Sequence, residues 1–122
     1  MNLSHLHLHV RDRARSEQYY CDWFKLVVSR RSQQLTFLSD SQHFDLALMD
    51  DPSPQAVPAW LHFGFRQDTG NEVIALHDAM VDAGIPIIKP LYQDETLVSY
   101  RCADPDGYVI EVYWQPLQPG IE

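Results

Sequence analysis

Residues 104–114 read Asp-Pro-Asp-Gly-Tyr-Val-Ile-Glu-Val-Tyr-Trp, a turn signal that runs directly into a β-prone segment. Because side chains alternate across a strand, Glu111 shares one face with Val109 and Tyr113, and the residues on either side of it take the other face. A carboxylate in the middle of an apolar strand is costly to bury unless a cation or a metal ion meets it. The partner of Glu111 is therefore the first question that the rest of the sequence has to answer.

The composition is that of one globular domain, with 122 residues of which 45% are hydrophobic and 21% charged. Seventeen acidic residues against nine basic ones give a formal charge of −8, which argues against a nucleic-acid partner. Cys21 and Cys102 have neither metal-binding nor redox spacing and predict reduced thiols in a cytoplasmic protein. With no apolar run long enough for a bilayer and no leader pattern, we expect a soluble protein without a membrane partner.

A second informative stretch lies at residues 3–10, where the sequence alternates strictly with a period of two. Aliphatic side chains occupy one face of this predicted strand, and His5, His7 and His9 occupy the other. A helix can cover the aliphatic face, whereas the imidazole face has to look into polar space such as a wet cavity.

The rest of the chain predicts the same order of elements twice. In the first half, Asp12 caps a helix that ends near Lys25, and strands follow at about 26–31, 34–39 and 43–49. In the second half, a strand at 60–66 precedes a helix that Thr69 and Glu72 open and Gly84 closes, and strands follow at about 86–89, 97–103 and 108–114.

This repetition predicts an α+β fold of two paired βαβββ modules, which form a cup-shaped mixed β-sheet with the helices outside. We expect one domain over residues 1–122, made of a first module at 1–50, a proline-rich linker at 51–58 and a second module at 59–122. When the halves are superposed in sequence, His5 falls on His62 and Ala47 on Glu111.

Two histidines at equivalent positions, together with Glu111, suit a divalent transition metal with open coordination positions. The predicted ligands are His5, His62 and Glu111. Each of the three also has an ordinary interpretation, since a strand histidine is often a satisfied core or surface residue. Glu111 could likewise form a salt bridge with Arg101 or Arg66.

Four segments together resemble the vicinal oxygen chelate superfamily, which includes glyoxalase I, extradiol dioxygenases, fosfomycin-resistance enzymes and bleomycin-resistance proteins. The segments are Leu3 to Asp12 with Ser16, Tyr19 and Tyr20; His62-Phe-Gly-Phe-Arg66; Ala83-Gly84-Ile85-Pro86; and Asp104-Pro-Asp-Gly-Tyr-Val-Ile-Glu111. They span almost the whole chain, and the Asp-Pro-Asp-Gly turn with its following Glu is the most specific. The resemblance implies the glyoxalase/bleomycin resistance/dioxygenase fold, a homodimer, and a metal held by His5, His62 and Glu111.

The sequence also departs from several of the patterns in this family. Glyoxalase I carries a second Glu ligand where this chain has Ala47, so three protein ligands are expected, as in extradiol dioxygenases and fosfomycin-resistance enzymes. Many members of those two groups place a Tyr ten residues before the ligand Glu, where this chain has Arg101. Residues 91–97 are too short and too acidic to resemble the potassium loop of fosfomycin thiol transferases.

The resemblance implies an enzyme that depends on a divalent metal, which could be iron, manganese, nickel or zinc. The substrate would be a small molecule that chelates the metal through oxygen atoms. The enzyme would be a dioxygenase, a lyase or isomerase, or a transferase. His7, on the face of His5, is a candidate general acid or base, or else a hydrogen-bonding neighbour of the ligands. Arg101 could clamp an anionic substrate group, or pair at the surface with Asp104 or Asp94.

Two alternatives to an enzyme follow from the same residues. One is a bleomycin-resistance-like protein that sequesters a small molecule without chemistry, although that group typically lacks the metal ligands. The other is a purely structural metal, against which three ligands rather than four argue. Four apolar side chains are candidates for pocket walls or plain core residues: Trp60, Tyr113, Phe37 and Met49.

Overall fold

The structure is a computed structural model that describes residues 1–117. It divides into two compact units, the first ending at Ala56 and the second beginning at Val57. The end of the predicted second module, residues 118–122, lies outside the described residues. In residues 1–117, neither helix is long and apolar enough to cross a membrane.

The first unit contains one helix and one four-stranded sheet. Its elements are β1 (His5–Val10), α1 (Arg13–Phe24), β2 (Val27–Arg31), β3 (Leu35–Ser39) and β4 (Asp45–Asp50). The strand order is β1-β4-β3-β2, in which β1 and β4 are parallel and the other neighbours antiparallel. As predicted, the Asp12 side chain caps α1 by accepting a hydrogen bond from the Arg15 amide at 3.1 Å. The helix ends at Lys25, whose backbone is left-handed.

The second unit repeats this arrangement. Its elements are β5 (His62–Arg66), α2 (Gly70–Asp82), β6 (Ile87–Gln93), β7 (Val98–Ala103) and β8 (Val109–Trp114). The order is β5-β8-β7-β6, with β5 and β8 parallel. Thr69 accepts from the Glu72 amide at 3.2 Å, which is the predicted N-cap of α2. The predicted α+β class with two βαβββ units is confirmed.

The predicted start of β5 and the predicted end of β6 are wrong. β5 begins at His62, because the Leu61 amide bonds to the Pro58 carbonyl at 3.0 Å and holds the preceding residues in a turn. Trp60 therefore lies before the strand, with 72% of its surface exposed. β6 continues to Gln93 instead of ending near residue 89. Pro90 is tolerated within it because β6 is an edge strand, and the register shifts around this point.

Each sheet buries one face under its own helix. In the second unit Ile110 and Val112 are fully buried, and α2 packs on β7 and β8. Glu111 lies between them in sequence but points to the opposite face, where a quarter of its side chain is exposed. The alternation predicted from residues 104–114 is thus present, and it separates core residues from those available to a ligand.

The turn before the last strand of each unit has the same construction. Oδ1 of Asp104 accepts hydrogen bonds from the amides two and four residues later, both at 2.9 Å. Oδ1 of Asp40 accepts from the amides at the same offsets at 2.8 and 2.9 Å. The third residue after each Asp has a positive φ, 88° for Gly107 and 66° for His43. The internal repeat therefore extends to individual hydrogen bonds of the turns.

We expect His43→Gly to raise the free energy of unfolding by about 0.5–1 kcal/mol. The left-handed backbone costs a non-glycine residue about 1–2 kcal/mol, and the greater freedom of glycine in the unfolded chain offsets part of the gain. Urea denaturation measures the difference. Gly107→Ala is the matched control with the opposite sign, since its Cβ would meet nothing within 4 Å and only the φ angle is penalised. A His43→Gly protein less stable than wild type would contradict this account.

Candidate functional site

The open face of the second sheet carries the predicted residues in register. Glu111 lies between Gly64 of β5 and Arg101 of β7, its Cα partners on the two neighbouring strands. Residues side by side in a sheet project to the same face, so these three form one row across it. His62 precedes Gly64 by two residues and lies on the same face.

A cavity of about 490 Å³ opens on this face. Its lining residues are His62, Phe63, Gly64, Leu97, Glu111, Tyr113 and Gln115. The two ligands predicted from the second half of the sequence therefore share one cavity. Tyr113, one of the predicted wall residues, lines it as well, whereas Trp60 does not.

The imidazole of His62 is held in one orientation. Its Nδ1 lies 2.9 Å from the Trp60 carbonyl oxygen. Because a carbonyl oxygen can only accept a hydrogen bond, Nδ1 carries the proton, and the lone pair is left on Nε2. Metal-binding histidines are commonly fixed in this way, with the second ring nitrogen donating to a carbonyl or carboxylate.

Glu111 faces a cation, as the alternative interpretation expected, but the contact is loose. Its Oε2 lies 3.8 Å from Nε of Arg101, and about a quarter of each side chain is exposed. Charge-assisted hydrogen bonds are about 2.7–2.9 Å long. Nε of Arg101 is a buried donor with no hydrogen-bond partner among residues 1–117. Arg66, the other candidate cation, donates instead to the Gln115 carbonyl.

The ring of Tyr113 forms one wall of the cavity against the backbone of β5. A Cβ added to Gly64 would lie 3.1 Å from Cε1 of Tyr113 and 3.3 Å from the Glu111 carbonyl oxygen. Such contacts are tighter than most Cβ atoms make, so a side chain at this position would require a shift of a few tenths of an ångström. Gly64 therefore leaves room for Tyr113 to lie close against β5.

The open face of the first sheet carries the other predicted residues. His5 and His7 are exposed on β1, where they pair with Asp45 and Ala47 of β4. On β3, Phe37 lies opposite Ala47. Ala47 thus holds the place in the first unit that Glu111 holds in the second, which agrees with the superposition made from sequence.

Three other histidines have local roles. Nδ1 of His9 bonds to Oδ2 of Asp51 at 2.9 Å. His77 bonds to Asp78 at the same distance. His43 occupies the left-handed turn position described above. None of the three needs a metal to explain its place.

The donors on the second sheet fit the proposed metal, because a neutral imidazole nitrogen and a carboxylate in one cavity suit a divalent transition ion. Among residues 1–117, no group of three or more His, Cys, Asp or Glu side chains lies close enough together to hold a metal ion. That His5 joins His62 and Glu111 stays a prediction, as do the roles of His7 and Arg101.

Sequence reasoning missed two features of the candidate site. The Trp60 carbonyl that orients His62 is a backbone atom, for which the sequence carries no signal. The face of Asp45 was detectable, since it lies two residues before Ala47, but its place beside His5 depends on the strand register.

Similar proteins share this architecture. A family model described as Glyoxalase/Bleomycin resistance protein/Dioxygenase superfamily matches residues 2–112. A solved structure described as a possible glyoxalase from Bacillus cereus is 26% identical, with a TM-score of 0.80 over 92% of this chain and 97% of that one. Glyoxalase I of Leishmania major is 25% identical, with a TM-score of 0.75 over 92% and 85%. The fosfomycin resistance protein FosX of Listeria monocytogenes, at 20% identity, shares the fold, with a TM-score of 0.81 over 96% and 95%. No curated protein sequence matches the chain.

Proposed function

The chain belongs to the Glyoxalase/Bleomycin resistance protein/Dioxygenase superfamily, and from this membership we propose that it is an enzyme that uses a divalent transition metal to act on a small, oxygen-chelating molecule. The proposal rests chiefly on one observation: His62 lines the same cavity as Glu111. Because Nδ1 of His62 donates to the Trp60 carbonyl, the lone pair that could bind a metal is on Nε2. A core histidine or a plain salt-bridge glutamate would have no need of that cavity.

The proposed ligands are His5, His62 and Glu111. A divalent ion at this place would stabilise negative charge on a substrate that chelates it through two oxygen atoms. Three protein ligands leave positions for both oxygens, which supports a catalytic rather than a structural role.

Two further side chains have proposed roles around the substrate. His7 lies two residues after His5 on the same face of β1, about 6–7 Å along the strand. Its exposed imidazole is suited to act as a general acid or base toward the substrate. Arg101 lies beside Glu111 on the same face, and about a quarter of its side chain is exposed, so its guanidinium is suited to bind an anionic substrate group.

The reaction type is proposed from the ligand count. Ala47 occupies the position that corresponds to the fourth protein ligand of glyoxalase I. The three remaining ligands therefore favour a reaction of the extradiol-dioxygenase or fosfomycin-resistance kind. Iron, manganese, nickel and zinc all suit two imidazoles and one carboxylate. The homodimer and the cytoplasmic location stay predictions, and light scattering of the purified protein measures the first.

Metal titration of the purified protein tests the proposal. The protein is prepared without chelators, offered manganese, ferrous iron, nickel and zinc in turn, and analysed by mass spectrometry of the bound element. We expect one ion per chain. Oxygen uptake with catechols then separates a dioxygenase from a lyase, isomerase or transferase. A protein that binds none of these metals is not this enzyme, and the alternative of a sequestering binding protein replaces it.

A further inference from the structure

The two predicted histidine ligands occupy equivalent places with different neighbours. The row across β1, β4 and β3 consists of His5, Asp45 and Ser39. The corresponding row across β5, β8 and β7 consists of His62, Val109 and Ala103. The row is therefore polar beside one histidine and apolar beside the other.

The apolar row accompanies the histidine that is already oriented. Nδ1 of His62 donates to the Trp60 carbonyl at 2.9 Å, and neither Val109 nor Ala103 has a side chain that forms hydrogen bonds. His5 is exposed, so packing does not fix its ring. The polar side chains that lie beside it in its row are those of Asp45 and Ser39.

The polar row offers a carboxylate that is held in place. Oγ of Ser39 donates to Oδ1 of Asp45 at 2.6 Å, a short charge-assisted hydrogen bond in a partly buried position. This bond fixes the carboxylate and leaves Oδ2 as an acceptor. Neighbouring strands are about 4.8 Å apart, so a rotation of the His5 side chain would bring its imidazole within hydrogen-bonding distance of Oδ2.

We propose that Asp45 is the positioning residue of His5: its Oδ2 accepts a hydrogen bond from Nδ1–H and so presents Nε2 as the ligand nitrogen, while Ser39 holds the carboxylate. Carboxylate–histidine–metal arrangements of this kind orient the ring and raise the basicity of the ligand. The consequence for metal binding rests on the proposed function, but the orientation of His5 does not.

The orientation is tested on the metal-free protein by the tautomer of His5, read from the ¹⁵N shifts of the two ring nitrogens at a pH where imidazoles are neutral. In the wild type we expect the proton on Nδ1. In Asp45→Asn, Ser39 still engages the amide oxygen, so the amide NH₂ faces His5 and the proton moves to Nε2. A His5 tautomer that does not respond to Asp45→Asn overturns the proposal, whatever the metal affinity.

Metal affinity tests the consequence. We expect Asp45→Asn to weaken zinc or cobalt binding by about 10–100-fold, the usual loss when the partner of a metal-bound histidine is removed. The visible spectrum of bound cobalt should change as well, while the thermal midpoint of the metal-free protein stays close to wild type. Ser39→Ala should give a smaller loss in the same direction.

Asp50→Asn is the matched control. It makes the same chemical change on the same strand, but Asp50 pairs with the buried Val10 of β1 and forms an ion pair with Arg13. Equal losses of affinity in Asp45→Asn and Asp50→Asn would overturn the positioning role. If the tautomer responds as expected but the wild type binds no metal, the positioning of His5 is supported and the proposed function is refuted.

Discussion

Glu111→Gln is expected to weaken metal binding by more than about 100-fold, since losing even a hydrogen-bonding neighbour of a ligand typically costs 10–100-fold. The amide keeps the shape of the side chain but removes the negative charge that a divalent ion requires. Stability should change by less than about 1 kcal/mol, because loose, partly exposed ion pairs contribute little. Glu111 and Arg101 form a pair of this kind, with Oε2 and Nε 3.8 Å apart.

Competition titration with a chelating dye measures the affinity of the Glu111→Gln protein, and urea denaturation measures its stability. Glu95→Gln is a suitable control, since Glu95 carries the same carboxylate at an exposed position between β6 and β7. His62→Ala should reproduce the loss of affinity. An unchanged metal affinity in Glu111→Gln would remove Glu111 from the ligand set and with it the proposed chemistry.

Ile110→Ala, one residue earlier, is expected to have the opposite profile. The free energy of unfolding should fall by about 2–5 kcal/mol, the range for truncating a fully buried aliphatic side chain. Ile110 is 0% exposed and lies between Phe63 of β5 and Cys102 of β7, on the face that α2 covers. Domains of this kind are stable by only about 5–15 kcal/mol, so the loss is a large part of the total.

The two effects of Ile110→Ala are separated by measuring metal binding at a temperature where the variant is still folded. The number of ions bound per folded chain should match wild type, because the substitution leaves the other face of β8 unchanged. Ile110→Val is the graded control, with an expected loss of about 0.5–1.5 kcal/mol. A fall in stability of under 1 kcal/mol would show that the site collapses around the smaller side chain or is not core.

The contrast between these neighbouring residues was available from the sequence. The period-two pattern of residues 104–114 separates Glu111 from Ile110 without any knowledge of the fold, because the geometry of a single strand imposes it. Local hydrogen bonds likewise made the caps of both helices readable, at Asp12 and Thr69. The correspondence between Ala47 in the first unit and Glu111 in the second also followed from the repeat, and the sheet registers agree with it.

Some features could be predicted neither from the local sequence pattern nor from the internal repeat. β6 continues past Pro90 because it is an edge strand, and its edge position depends on how the whole sheet is ordered. The tautomer of His62 depends on a backbone carbonyl, and that of His5, as proposed, on a residue far along the chain.

The sequence by itself therefore determined the elements, their faces and the residue types offered to a ligand, since these depend on contacts within a few residues. The tertiary structure alone decided which side chains stand side by side, as His5 stands beside Asp45 and Glu111 beside Arg101. Strand register is set by the packing of the entire sheet on its helix, and a shift of one residue would turn every side chain to the other face.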